Sequence, residues 1–427
     1  MNIMEHGRAF VASLRELAGR SAWVWKRCPH CGSTWTIKNG SYERRPWELA
    51  GRETVRVQRH KCHSCERTYS EPSAQLVRGS WYARAVHRAA IDHWQHTGTS
   101  LRRTAEWLRS WMGHQERWGL WHPLEEGSEK TCYLGASTVH RWVDGVGRVA
   151  SERVTGQLEG IGQSGVLSVD GLWAKLKGQV KRVVLLVVDS TSGLVYPPVV
   201  TDSEDSASSW EKLFVRAWQA GLDVEAVRGV VSDGAQGLLA YVSRGLDWAY
   251  HQRCVWHLWR NLAGELSRAA SAAADALSGE AAEQVRHQIR AELTGLIHQI
   301  IDAQSYAQAE AAIALLLKHT HGATIGQVLN VQLDRILAHL LGVCHGLPRV
   351  TAEWYWRDFR QRLSHGRNHR SDQRLERAAL VWAIYRNFEP AQWRSERKRH
   401  YRYPGQSALQ VAGVPPGQVS YLDALGV

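Results

Sequence analysis

The sequence predicts an α/β protein: a mixed sheet flanked by helices with an all-helical insertion, preceded by a small cysteine-bearing module and a helical module. Three observations carry this. Two Cys-x-x-Cys pairs stand within the first 65 residues, apolar β-branched runs alternate with amphipathic stretches from residue 164, and residues 265–346 are rich in Ala, Leu, Gln and Glu without a proline. At 427 residues the chain exceeds what one hydrophobic core serves, so two or more domains are expected. Lys and Arg number 53 against 41 Asp and Glu, a formal net charge of +12. That balance favours a polyanionic partner, nucleic acid first, with a basic membrane-surface protein as the competing reading. No apolar run approaches the roughly 20 residues of a span. The opening MNIMEHGRAFVASLRELAGR is too charged for a signal peptide, so a cytoplasmic protein without membrane contact is expected.

The first module is assigned to residues 20–75. Its pairs are Cys28 and Cys31 in CPHCGS, and Cys62 and Cys65 in KCHSCERTYS. In a reducing compartment such pairs argue for metal over disulfides, and four thiolates from two hairpin turns complete a closed tetrahedral Zn²⁺ site, a zinc ribbon. His30 and His63 are expected in exposed loops because four sulfurs already fill that site. Arg44, Arg45, Arg52, Arg56, Arg59 and Lys61 either follow a phosphate backbone or form a solvated charged hairpin.

Residues 80–155 read as helices resembling a helix-turn-helix. WYARAVHRAAIDHWQHTGTSLRRTAEWLRS has apolar positions at helical spacing, broken at Gly98 and restarted by a Thr99/Ser100 cap. A third helix begins in GASTVHRWVDGVG, where Ser137 is expected to cap it, Thr138, His140 and Arg141 to face outward and Val139 and Trp142 inward. A small polar cap before a short helix bearing Arg and His suits a DNA-reading helix. An insertion with Trp111, Trp118 and Trp121 lengthens the usual turn, and an ordinary helical bundle is the other reading.

From residue 164 the texture is β. GVLSVDGLW is a strand carrying Asp170, and KRVVLLVVDSTSGLVYPPVV turns at DSTSG. SASSWEKLFVRAWQAG is a helix with Trp210, Leu213, Phe214 and Trp218 on one face. VEAVRGVVSD is a strand, AQGLLAYVSRG a helix, and LDWAYHQRCVWH a last strand leading into a helix. The order β-β-β-α-β-α-β is that of a ribonuclease-H-like domain, whose first and fourth strands lie side by side. Asp233 then either caps the helix opening at Ala235 or binds metal beside Asp170. Two adjacent carboxylates call for a divalent cation, and two Mg²⁺ or Mn²⁺ ions roughly 4 Å apart suit phosphodiester chemistry. Asp189, Asp202 and Asp205 read as turn and cap residues.

SDGAQGL, then HQRCVWHLWRNL, and much later RSDQRLER together resemble the DDE transposases of the Mutator-like and related bacterial insertion-sequence superfamily. The resemblance extends over residues 83–390, and the zinc ribbon is an accessory of some such enzymes. It implies catalytic, metal-binding roles for Asp170, Asp233 and Glu376, with Cys254 and His257 as the supporting strand signature. RSDQRLER departs from the commoner Thr-Asn wording, so Glu353 and Asp358 stand as rivals of Glu376. The catalytic domain is then residues 164–264 and 350–390 around a helical insertion at 265–349. Residues 391–427 form a basic tail, whose Arg397, Lys398, Arg399, His400 and Arg402 interleave with Tyr401 and Tyr403 for contact with DNA or solvent. The implied activity is hydrolysis at transposon ends followed by 3′-hydroxyl strand transfer. Its partners are double-stranded DNA and further copies of the chain, in the bacterial cytoplasm at the nucleoid. The alternative is a non-catalytic DNA-binding regulator derived from a transposase.

Overall fold

The computed structural model describes residues 27–112, 114–117, 120–123, 134–178, 180–341, 353–365, 369–390, 405–415 and 420–426. Residues 397–403 of the tail, and Trp118, lie outside this set.

The N-terminal ribbon contains β1 (Thr36–Arg44), β2 (Trp47–Glu48), β3 (Gly51–Arg52), β4 (Val55–Cys62) and β5 (Thr68–Ser70). Strand β4 is central, antiparallel to β1 and β5. Its alternation of buried Val55 and Val57 with exposed Arg56 and Arg59 is the period-2 pattern of a sheet with one covered face.

The helical module follows. It comprises α1 (Arg84–Thr97), α2 (Leu101–Trp111), a small hairpin of β6 (His114–Arg117) and β7 (Leu120–Pro123), and α3 (Ala136–Glu152). Helix α1 ends on Gly98 in the left-handed conformation, and Ser100 caps α2 by accepting from Arg103 N at 3.2 Å. One face of α1 packs Val86 and Ala90 against Leu108 and Val139. Its Ile91 and Trp94 join a second core with Val143 of α3 and Leu380, Val381 and Ile384 of a helix near the other end of the chain.

The central sheet holds β8 (Val166–Lys175), β9 (Lys181–Asp189), β10 (Val199–Thr201), β11 (Gly229–Ser232) and β12 (Tyr250–Arg253), in spatial order β10-β9-β8-β11-β12. Strand β9 runs antiparallel to both β8 and β10, whereas β11 and β12 run parallel to β8. Helices α4 (Ala207–Ala220) and α5 (Gln236–Gly245) are the crossovers that this direction requires. Trp210, Leu213, Phe214 and Ala217 of α4 meet Leu167, Val169, Val183, Leu185 and Val187 of the sheet. Trp218, expected on that face, is 62% exposed: the stripe runs i, i+3, i+4, i+7, and the next position turns outward. Asp189 is a turn residue as expected, and fully buried. Its carboxylate accepts from Ser164 N and Oγ, Thr191 N, and Ser192 N and Oγ, at 2.7 to 3.1 Å.

After β12 the chain enters α6 (Val255–Ala273), α7 (Gly279–Ile301), α8 (Tyr306–Lys318), α9 (Ala323–Val331) and α10 (Leu333–Ile336). These helices own a core of Leu258, Leu262, Leu293, Ile297, Leu316, Ile325 and Leu329. Gln252 of β12, fully buried, ties this bundle to the sheet. Its Nε2 donates to Ile336 O at 3.0 Å and its Oε1 accepts from His339 N at 2.9 Å.

Helices α11 (Glu353–His365) and α12 (Asp372–Phe388) cover the other sheet face, setting Trp356, Phe359 and Trp382 on Leu172, Val184, Leu186 and Val188. The far end of the chain is packed, not a solvated tail. Leu409 of α13 (Ala408–Val411) enters the sheet core, and Tyr421 and Leu422 of α14 (Tyr421–Ala424) enter the core around α12. Those apolar residues outweigh the basic composition that made residues 391–427 read as one tail.

Candidate metal centres and DNA-facing surfaces

The first centre is local. Cys28 N donates to Ser33 O and Cys62 N to Arg67 O, closing two knuckle turns. Gly32 and Glu66 supply the positive φ values, +73° and +58°, and Glu66 is the one non-glycine with such a φ among the described residues. The turns face each other. Cys28 Sγ lies 3.6 Å from Cys65 Sγ, and Cys31 Sγ lies 3.6 Å from Cys62 Sγ. Four sulfurs about 2.3 Å from a tetrahedral Zn²⁺ stand about 3.8 Å apart, so the donor set and its spacing fit structural zinc. Burial opposes ionisation of Cys62, but the backbone N–H groups of Cys65 and Ser64 and the neighbouring thiols outweigh it and bring the thiol down to about 6. His63 is exposed and stacks on Trp35.

The second centre is assembled by strand register. Gly229 pairs with Val166, Val230 with Leu167 and Val231 with Ser168. Continuing that register two residues carries Asp233 alongside Asp170. Asp170, Asp233 and His257 each offer a donor atom within 4.8 Å of the others, with Asp170 and His257 buried. Asp170 Oδ1 accepts from Gly171 N at 2.9 Å. Asp233 Oδ1 accepts from Ala235 N at 3.0 Å, so the carboxylate that faces Asp170 also closes the turn into α5. Asp233 is not the helix cap that was one of its two readings: α5 begins at Gln236 with Ala235 as its N-cap and no side-chain cap, and the Asp233 bond closes the turn before it.

His257 arrives on a helix, not on the strand where its motif was expected. Cys254 N donates to Ser232 O at 2.8 Å, β12 ends there, and Cys254 becomes the N-cap of α6. That places His257 in the first turn of α6, beside the carboxyl end of β11. Cys254 is itself fully buried and stands outside the metal-type group.

Glu376 stands elsewhere. On α12 it pairs with Arg216 of α4 and accepts from Val200 N of β10 at 3.1 Å. Strand β10 is two strands from β8 in the sheet order, which is about 10 Å at normal strand spacing. Of the rivals, Asp358 pairs with the buried Arg362 and accepts from Trp382 Nε1 at 2.9 Å, while the side chain of Glu353 lies outside the described residues.

Arg253 was not singled out by sequence. It is 4% exposed, its Nε donates to Gln332 Oε1 of the helical bundle at 3.1 Å, and its guanidinium packs over Gly234. Burial disfavours its charge and Asp233 supports it. A buried cation thus stands behind the two aspartates.

The third helix differs most from expectation. The N-cap of α3 is Gly135, with no side-chain cap, so Ser137 is an exposed first-turn residue and not the cap. Thr138 is buried, and its Oγ1 accepts from Arg141 at 3.2 Å. His140 is half-buried with its ring 5.9 Å from that of His369, and burial lowers its pKa. The cause is α12. Asp144 pairs with Arg377 at 3.2 Å, and Gly147 sits so close that a Cβ there would meet Arg377 Cβ at 2.6 Å. One side of α3 is therefore a helix–helix interface, which leaves Ser137 and Arg141 as the exposed members of the expected DNA-facing set.

Among the described residues no helix is long and apolar enough to cross a membrane. No curated protein matches the chain. Residues 195–280 match the family model described as "Transposase, Mutator family", a segment that runs from the end of the β9 turn through Asp233, Cys254 and His257 into α7. Over that segment the chain is similar to the Mutator family of transposases.

Proposed function

We propose that the chain is a DDE-type DNA transposase whose central domain is ribonuclease-H-like and whose cation site is built on Asp170 and Asp233. The observation that carries the reading is the parallel β8–β11 register, which delivers Asp233 to Asp170 at the crevice beyond the strand ends. The strand order β10-β9-β8-β11-β12 supports the fold, because in order of appearance it is 3-2-1-4-5 with the first and fourth strands adjacent.

His257 serves as the third ligand in this conformation. Two carboxylates and one imidazole suit Mn²⁺ at least as well as Mg²⁺, since imidazole is the softer donor. Bound there, divalent cations would polarise an attacking water, and later a DNA 3′-hydroxyl, and offset the charge developing on the leaving oxygen. The protein's own part is placement. Asp170 is fixed in mid-strand by nine β8–β9 pairings, Asp233 by its turn, and His257 by the start of α6. Arg253 stands behind them, its charge supported by Asp233. Glu376, the third carboxylate that the resemblance implies, joins this centre only by exchanging Arg216 for the cation. The ribbon's exposed Arg56, Arg59 and Lys61, with Arg141, are the phosphate contacts, and the active assembly is a homo-oligomer on double-stranded DNA.

Plasmid nicking tests this. Wild type with Mn²⁺ or Mg²⁺ converts supercoiled plasmid to open circles. Asp233→Ala lowers the rate at least about 10³-fold while still shifting DNA mobility. The engagement of Glu376 by Arg216 is the one feature that favours the non-catalytic DNA-binding reading, and wild-type protein that shifts DNA without ever nicking it would establish that reading instead.

A further inference from the structure

The turn that brings Asp233 to Asp170 is supported from β12. Gly234 N donates to Ser232 Oγ at 3.0 Å, and that hydroxyl is hydrogen-bonded to His251 Nε2 at 2.6 Å. Two positions further along β12, the Arg253 side chain lies against the turn itself. A Cβ on Gly234, whose φ is +79°, would meet Arg253 Nη1 at 3.0 Å, Cζ at 3.3 Å and Cδ at 3.4 Å. The guanidinium and its stem therefore press on the backbone one residue after Asp233.

The helical insertion clamps the same side chain from another direction. Gln332 stands at the junction where α9 ends and α10 begins. Its Nε2 donates to Val328 O at 3.3 Å, which turns Oε1 toward β12, and Arg253 Nε donates to that oxygen at 3.1 Å. One guanidinium thus links the α9–α10 junction to the aspartate's turn.

Packing alone does not account for an arginine in this place. Arg253 is 4% exposed, and its Nη1 is buried without an acceptor among the described residues. A buried donor left unpaired destabilises a fold, so filling the space calls for an apolar side chain. What the guanidinium meets is a charge. Burial disfavours its ionised form, Asp233 supports it ahead of Cys254, and Arg335 opposes it.

We infer that Arg253 is a positioning residue through which the helical insertion, by way of Gln332, holds the Asp233 carboxylate in place for the divalent cation. This rests on the cation site proposed above and gives the insertion a part in it. Arg253 acts through Asp233 and not on the ion.

The test begins without Mn²⁺ or Mg²⁺, in full-length protein carrying stoichiometric zinc. Gln332→Ala removes the acceptor at the end of the contact remote from Asp233. The turn at residues 233–235 should then exchange its amide protons about 10-fold faster than in wild type, with β8 unchanged and melting within about 2 °C. Mn²⁺, followed by loss of the free-ion resonance, should bind about 10-fold more weakly. Arg253→Lys, which keeps a charge without the planar fork, should reproduce both changes, and Gln332→Glu, which keeps the acceptor, should restore wild-type behaviour. Unaltered exchange at the turn and unaltered Mn²⁺ affinity in Gln332→Ala, even with a lower melting temperature, would reduce the contact to packing and overturn the inference. No Mn²⁺ bound by wild type would instead remove the cation centre and this role with it, a failure told from the other by the exchange measurement, which needs no added ion.

Discussion

The chain builds its two metal-type centres by opposite means. The four cysteines come from two turns 31 to 37 residues apart, carried on one small antiparallel sheet. Asp170, Asp233 and His257 come from a strand, a turn and a helix, and meet only because β8, β11 and β12 pair in one register. The cysteine centre is closed, with soft donors on all four sides. The aspartate centre mixes two carboxylates with one imidazole, and its Asp170 and His257 are buried. A site made of local turns can be removed without touching the rest, whereas a site made of register reports on the whole domain.

The largest expected effect tests the local side of this contrast. Structural zinc contributes on the order of 10 kcal/mol to small cysteine modules, so Cys62→Ser should strip amide protection from residues 36–70 while leaving β8 to β12 protected. Loss of protection in the central sheet as well would show that the ribbon is not independent. Next is acid. Burial and the neighbouring His140 hold His369 near 4 against an ordinary 6.5, with Asp144 opposing and Arg374 reinforcing the shift. The unfolded chain therefore takes up a proton that the folded one refuses. Stability is intact above about pH 6.5 and falls as the pH drops toward 4, by on the order of 3 kcal/mol in full. Melting of His369→Gln against pH should be flatter than wild type through that window, and identical curves would remove the α3–α12 contact as its origin.

A smaller effect is expected at Gln252. Gln252→Leu leaves Ile336 O and His339 N without the partner that joins bundle to sheet, at a cost of about 2 kcal/mol read by chemical denaturation. A change under 0.5 kcal/mol would mean that the bundle's apolar contacts suffice. The smallest concerns one ligand. His257→Gln should weaken Mn²⁺ binding about 10-fold to 100-fold and shift preference toward Mg²⁺, measured by calorimetry, with the zinc content unchanged. Unaltered Mn²⁺ affinity would remove His257 from the centre.

What was legible in the sequence follows the same divide. The cysteine centre announces itself because its geometry is set within each knuckle. The central sheet could be read from alternating apolar runs and amphipathic helices, and Asp233 from its place between them. His257 was seen as a motif but not as a ligand, because nothing local marks that the strand stops at Arg253 and a helix turns the imidazole back. Thr138 and His140 were set outward because an amphipathic pattern shows that a helix has a second face, not that α12 covers it. The packed end of the chain was hidden for a related reason. The basic run at 397–402 dominated the reading, while Leu409, Tyr421 and Leu422 stand in short apolar stretches whose partners only the tertiary core supplies.

One fastening reaches further than its size suggests. Tyr421 donates its hydroxyl to Asp92 at 2.6 Å, and Asp423 pairs with Arg88 at 3.0 Å, both on α1, while Leu422 sits among α12 side chains. The final stretch thus works as a clasp between α1 and α12, two helices far apart along the polypeptide. Were the backbone severed anywhere from residue 391 to 404, the released piece would stay seated, and the two fragments would travel through a sizing column together.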